Sequence, residues 1–201
     1  MYRIGIDEVG RGPIAGPVVV SACAVKDGVL LLHLYPKGLL RDSKKLTEKQ
    51  RKYIATSLDA YIKSGDVIVG IGESSALHID DVGIVQAIKD AMMNALQKVY
   101  AQGVDKETHI MLDGALSLPD TYSFEVLIKG DEKILEISLA SIFAKECRDN
   151  LMKALAKEEA FSGYGFEQHV GYGTAQHYKA IQEKGLTVLH RKTFLKNMKN
   201  S

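Results

Sequence analysis

Apolar and polar positions change rhythm several times along the 201-residue chain, and each rhythm predicts an element. In "YRIGI" apolar side chains alternate with others, and "GPVVVSACAV" is a β-branched run, so the chain opens with two strands joined by the glycine loop "GRGPIAG". Beyond Thr47, Tyr53, Ile54, Leu58 and Ile62 recur at helical spacing across 48–63, with Thr47 placed to cap. "GDVIVGIGES" reads as a strand, and Val82, Val85, Ala87, Ile88, Met92, Ala95, Leu96 and Val99 then make one long amphipathic helix over about 79–102. "THIMLDG" and "YSFEVLI" add two strands, followed by helices over about 134–159 and 174–183. Strands first, then helix and strand in alternation, predict an α/β fold: a mixed β-sheet flanked by helices. No repeat or Pro/Ser-rich linker interrupts it, so 1–201 is expected to form a single domain.

Composition narrows the class without changing this picture. A hydrophobic content of 46% and a charged content of 25% exclude disordered and fibrous chains, and no apolar run is long enough to span a bilayer. "MYRIGIDE" meets a carboxylate by Asp7, leaving no room for the apolar core of a secretory signal, so a cytoplasmic protein without membrane contact is expected. Cys23 and Cys147 sit in apolar stretches and read as buried free thiols. A net charge of +1 argues against a surface that grips polyanions everywhere, yet the charge is uneven. Residues 37–52 hold seven Lys/Arg against two acids, and 184–201 hold five against none. Each stretch is either a solvated face or a stripe that follows a phosphate backbone.

The candidate chemistry lies in the acids. Asp7 and Glu8 end the first strand, Asp113 ends "HIMLD", and Asp131 lies in "IKGDEK" between a strand and a helix. Carboxylates gathered at strand ends form an oxygen-rich pocket that ionises fully only when cations neutralise it, and Mg²⁺ is the natural occupant. Taken singly, Asp113-Gly114 is also a turn and Asp131 also a helix cap. At Asp7-Glu8, neighbouring side chains of a strand point to opposite faces, so one carboxylate heads into a helix-covered interior where an unpaired charge is costly. Either both carboxylates, or one carboxylate and a backbone carbonyl, would have to turn toward the same metal. Gly10, Gly12 and Gly16 let a ligand approach the main chain, so that amides contact a sugar hydroxyl or a phosphate. "GRGPIAG" does not fit a dinucleotide-binding loop, since its spacing differs and a strand follows it.

"GIDEVGRGPIAGPVV" resembles the opening signature of the type 2 ribonucleases H, in particular the bacterial ribonuclease HII family. "DSKKL" at 42–46, "LDG" at 112–114, "KGD" at 129–131 with "ASIFAKECRD" behind it, "GYGTAQH" at 171–177 and "LHRKTF" at 189–194 follow in that family's order. The resemblance implies a ribonuclease H-like fold whose last part, about 160–201, is a helical C-terminal extension. It implies an endonuclease that hydrolyses the RNA strand of RNA/DNA hybrids and incises ribonucleotide-containing duplex DNA at a single ribonucleotide, leaving 5′-phosphate and 3′-hydroxyl ends. Asp7, Glu8, Asp113 and Asp131 match the family's catalytic, metal-binding acids, and the cofactor implied is Mg²⁺ or Mn²⁺, two ions per site. Gly10, Arg11 and Gly12 match a loop whose backbone reads the ribose 2′-hydroxyl, and Tyr172 a tyrosine that meets the same hydroxyl and stacks on the next deoxynucleotide. Ser43 and Lys44 match phosphate-contacting positions.

Two departures accompany the match. "HIDDVGI" offers His78 and Gly83 where many relatives carry Glu and Asn, and His169 is followed by Val170 where a lysine is common. His177 and His190 are read as structural, because their spacing suggests no zinc site. A monomer is expected, and no protein partner, sliding clamp included, can be named from the sequence. The alternatives weighed are a ribonuclease HIII-like hybrid nuclease, disfavoured by Arg11, and a non-catalytic nucleic-acid-binding domain. The latter would have no reason to place four acids at strand ends, where they repel phosphates.

Overall fold

A computed structural model describes residues 1–38, 40, 43–114 and 116–196. Asp42 of "DSKKL" and the last five residues of the second basic stretch lie outside the described residues. Strand β1 (Tyr2–Val9) turns through the glycine loop into β2 (Val18–Lys26) and pairs with it antiparallel, Asp7 opposite Ser21. Strand β3 (Val67–Ser74) extends the sheet antiparallel to β2, while β4 (Ile110–Asp113) and β5 (Phe124–Leu127) add in parallel beyond β1. The strand order is β3-β2-β1-β4-β5. The helices are α1 (Glu48–Ser57), α2 (Asp59–Ser64), α3 (Ala76–Val82), α4 (Ile84–Tyr100), α5 (Leu135–Leu155), α6 (Phe166–His169) and α7 (Ala175–Lys184).

The two-residue period sorts each strand between two layers. Ile4, Ile6, Val20, Ala22 and Ala24 pack against Ala87, Ala91, Met92 and Ala95 of α4. On the opposite face Cys23 and Val25 meet Leu139, Ala140 and Ile142 of α5, with Ile54 and Leu58 closing that layer. Gly5 lies on the α5 face, and a methyl group there would overlap the main chain of Ile137, so a side chain at position 5 would push α5 off the sheet. A third cluster, of Met152, Tyr164, Phe166, Ile181 and Leu195, joins the C-terminal segments to the far end of α5. Among the described residues no helix is long and apolar enough to cross a membrane. Cys23 and Cys147 are free thiols, the first buried and the second partly so.

The helix starts follow the capping chemistry. Thr47 caps α1 in a box with Gln50, and Thr174 caps α7 through the His177 amide. Two continuous helices predicted by periodicity are each broken. At Leu58 the amide bonds back to Ala55, a tightened turn that separates α1 from α2. At Gly83 the backbone takes φ 81° and ψ 157°, which no helix contains, and α3 ends there. Val82 and Val85 are exposed as a result, whereas Ala87, Ile88, Met92, Ala95, Leu96 and Val99 are buried as expected. The first strand runs one residue past Glu8, and α5 is shorter than expected at its C-terminus, ending at Leu155.

Candidate active site

The parallel pairing of β1 with β4 matches Ile6 to Leu112, which sets Asp7 and Asp113 at adjoining positions on the α5 face of the sheet. Asp7 is 7% exposed, and its carboxyl hydrogen-bonds the Ser141 hydroxyl of α5 and accepts the Glu8 amide at 2.7 Å. Burial pushes this carboxyl up to about 8, against the lowering pull of Ser141, and the negative charges of Glu8 and Asp113 add to the rise. Glu8 alternates to the other face, as strand geometry requires. Its carboxyl is also raised by burial and by Asp113, opposed by Arg11, whose guanidinium is 3.8 Å away, and by Lys44.

Asp113 does more than end β4. Its Oδ1 accepts the Gly130 amide at 2.7 Å, which ties the strand end to the 3-10 turn Gly130–Glu132 carrying Asp131. Lys129 takes the left-handed conformation to make that turn, and Asp131 is 8% exposed. Asp131 does not cap α5: the cap is Ile134, which makes no side-chain bond. The structure therefore draws Asp7, Glu8 and Asp113 into mutual electrostatic contact and fastens Asp131's turn to Asp113. Among the described residues, however, no group of three or more His, Cys, Asp or Glu side chains stands ready to hold one metal ion. An all-oxygen donor set whose negative charges raise the carboxyls of Asp7 and Glu8 fits a hard divalent cation.

Beside the acids lies the loop after β1. Gly10 takes φ 96° with its carbonyl turned inward, and a Cβ on Gly12 would lie 4.0 Å from Cε1 of Tyr172. Gly12 and the half-exposed Tyr172, 160 residues apart in sequence, thus flank one surface. Lys44 is exposed, but Ser43 is not where a phosphate contact needs it. The 3-10 turn Ser43–Lys45 tucks Ser43 fully inside, its hydroxyl 2.8 Å from that of Ser141, so it supports the residue that holds Asp7. Lys45 forms an ion pair with Glu132, which joins this turn to the one carrying Asp131.

The model of the family described as ribonuclease HII matches residues 4–197. The chain belongs to the ribonuclease HII family. It is 43% identical to the ribonuclease HII of Bacillus cereus (strain G9842) over 96% of its own length and 68% of that protein. It is 40% identical to that of Chlamydia muridarum (strain MoPn / Nigg) over 94% and 80%. Among solved structures, ribonuclease HII in a PCNA complex from Archaeoglobus fulgidus overlays with a TM-score of 0.71 at 20% identity, covering 95% of this chain and 94% of that one. Bst-RNase HIII in complex with Mn²⁺ overlays at 0.66 and 19% identity, over 100% and 71%. The fold is ribonuclease H-like, and as a member of that family the chain is a hydrolase of the ribonuclease H type.

Two arginines of the stretches read as basic stripes turn inward instead. Arg51 pairs with Glu146 at 2.8 Å and donates to the Leu46 carbonyl, also at 2.8 Å, pinning the Ser43–Lys45 turn. Arg191 of "LHRKTF" is fully buried. So is Arg148, which follows Ser141 and Ala144 at i+7 and i+4 on one stripe of α5. Neither Ser141 nor either of these two arginines was singled out from sequence; the available signal was the phase of Ser141 and Arg148 on a buried helix face.

His177 and His190 are structural, as expected, and their partners fix their protonation. Nδ1 of His190 accepts the Thr187 amide at 2.9 Å, so its Nε2 donates to Nε2 of His177, 3.1 Å away, and Nδ1 of His177 donates to the Tyr172 carbonyl at 2.9 Å. A proton added to either ring sets two donors face to face. Burial, with His177 beside it, lowers His190 to about 4, and burial lowers His177 as well. Between about pH 6.5 and 4 the unfolded chain binds a proton that folded His190 refuses, so this contribution to stability is full above 6.5 and is lost as pH falls. The stability advantage of the wild type over His190→Gln should shrink by about 2 kcal/mol from pH 7 to pH 5, measured by urea unfolding. A difference that does not change with pH would contradict the neutral relay.

Proposed function

We propose that the chain hydrolyses the RNA strand of RNA/DNA hybrids and incises at single ribonucleotides in duplex DNA, using Asp7, Glu8, Asp113 and Asp131 as ligands for divalent cations. The single observation that carries this reading is the clustering of Asp7, Glu8 and Asp113 at neighbouring strand positions, beside a glycine loop that faces Tyr172. Mg²⁺ or Mn²⁺, two ions in this reading, would supply an activated water and stabilise the leaving 3′ oxygen. The chain's own groups do the rest. Asp113 holds the Asp131 turn in place through Gly130, Ser141 orients Asp7, and the 10–12 backbone with Tyr172 selects ribose. Residues from about 160 onward act as an extension of one catalytic domain that carries Tyr172. The Mn²⁺ complex of Bst-RNase HIII supports the choice of cofactor.

A duplex containing one ribonucleotide, beside an all-DNA duplex, tests the reading. Cleavage at the ribonucleotide is expected with Mg²⁺ or Mn²⁺ and none with EDTA; equal cutting of the all-DNA control, or binding without cutting, would contradict it. Tyr172→Ala should slow single-ribonucleotide incision by more than about tenfold, the loss of one or two good transition-state contacts. Normal incision by that variant would remove Tyr172 from the site.

A further inference from the structure

We propose that Arg191 is a positioning residue for ribose recognition: from beneath the loop it turns the Arg11 and Gly12 amides outward toward the substrate. The proposal rests on the reading that this loop senses the 2′-hydroxyl. Arg191 is fully buried and spends its guanidinium on main-chain carbonyls: Nη2 donates to Gly10 at 2.7 Å, Nη1 to Arg11 at 3.0 Å and Nε to Gly16 at 2.9 Å. A trans peptide points its C=O and the following N–H in opposite directions. Holding the carbonyls of Gly10 and Arg11 inward therefore aims the amides of Arg11 and Gly12 outward. Among the described residues neither amide meets an acceptor, whereas those of Ile14, Ala15 and Gly16, farther along the loop, are all bonded. Two adjacent free donors beside the exposed ring of Tyr172 are what a sugar oxygen requires.

The rest of the local structure serves to keep Arg191 there. Phe194 lies under its guanidinium, with the ring centroid 5.2 Å away. Asp80 of α3 accepts the amides of Lys192 and Thr193 at 2.7 and 2.9 Å, anchoring the segment that carries it. Arg148 provides a second clamp, donating to Pro17 at 2.9 Å, Ala15 at 3.1 Å and Val170 at 2.8 Å. Val170 is a β-branched residue at φ 44°, a conformation that persists only when its surroundings enforce it, and it leads into Tyr172. Both halves of the ribose surface are thus fastened to buried guanidinium groups. Burial, with Arg148 nearby, lowers Arg191 to about 9, so it stays protonated at neutral pH and keeps its donors.

Arg191→Lys tests the assignment, because one ammonium cannot span three carbonyls. Equilibrium binding is measured with Ca²⁺, at times before any strand is cut, for a duplex with one ribonucleotide and for the same duplex with deoxyribose throughout. The wild type is expected to prefer the ribonucleotide duplex, and Arg191→Lys to lose about fivefold or more of that preference, equivalent to a lost hydrogen bond, with the all-DNA affinity unchanged. A merely structural role would weaken both duplexes in parallel, and that result, or a preference the variant retains, would overturn the proposal alone. A wild type without preference would overturn the reading of the loop itself. Hydrogen exchange on the wild type supplies a measurement that does not need the variant to fold. The Arg11 and Gly12 amides should exchange freely in the unbound protein and become protected by the ribonucleotide duplex but not by all-DNA. Protection already present in the unbound protein would refute the outward orientation.

Discussion

Asp7→Asn is expected to reduce strand cleavage by at least about a thousandfold while making the cation-free protein more stable. Burial with Glu8 and Asp113 close by holds the folded carboxyl near 8, against 3.8 for the ordinary group. Below pH 3.8 the carboxyl is protonated in both states and its burial carries no charge penalty. As pH rises toward 8 the unfolded chain gives up a proton that the folded chain keeps, so stability is lost across that window. At pH 7 the loss amounts to as much as about 4 kcal/mol, and an amide, uncharged throughout, escapes it. An Asn side chain can still accept the Glu8 amide and bond Ser141, so the packing survives. Urea unfolding of the two proteins in EDTA at pH 5 and pH 7.5 should show the variant's advantage growing with pH. The advantage should raise Tm by several degrees at pH 7.5. A variant less stable at both values would mean that Asp7 is held in place by favourable contacts and is not a charge awaiting a cation.

Gly10→Ala carries the second large effect, and it falls on recognition as well as folding. Residue 10 sits at φ 96°, and a methyl group there would overlap Nε and Cδ of Arg148. Backbone strain and displacement of a buried guanidinium together should destabilise the protein by about 2–4 kcal/mol. Once Arg148 shifts, the carbonyls of Ala15, Pro17 and Val170 lose their donor, and single-ribonucleotide incision should fall about a hundredfold or more. Gly28→Ala is the matched control. Its φ is 85°, but nothing lies within 4 Å of the added methyl group, so it should cost backbone strain alone and leave incision unchanged. Similar activity losses in the two variants would show that the loop responds to global stability and not to its own geometry.

Much of this architecture is legible in the chain because strands and caps are local. Alternation puts Asp7 and Glu8 on opposite faces, one of them covered by helices, and Thr47 and Thr174 mark two helix starts, all from near-neighbour chemistry. The breaks at Leu58 and Gly83 escaped because hydrophobic spacing records which face is apolar and not whether the backbone is continuous across a turn. In the site, the four acids stand out as carboxylates at strand ends. Their relation does not, since Asp113 reaches Asp131's turn through a main-chain amide that no pattern of side chains reveals. Ser43 was matched to a phosphate-contacting position by resemblance alone, and a motif match does not show that the 3-10 turn sends its hydroxyl inward to Ser141. Arg191 and Arg51 show the same limit, since a cation in a charge run is taken for surface until the carbonyls or carboxylates around it are seen.

The central claim is that Asp7, Glu8, Asp113 and Asp131 together hold divalent cations. Crystals of the wild-type protein grown with Mn²⁺ and measured at the manganese absorption edge test it most directly. Anomalous density bonded to the carboxylate of Asp7 and to those of the other three acids is the predicted result. Density absent from that site at saturating Mn²⁺, with the four carboxylates still apart, would contradict it.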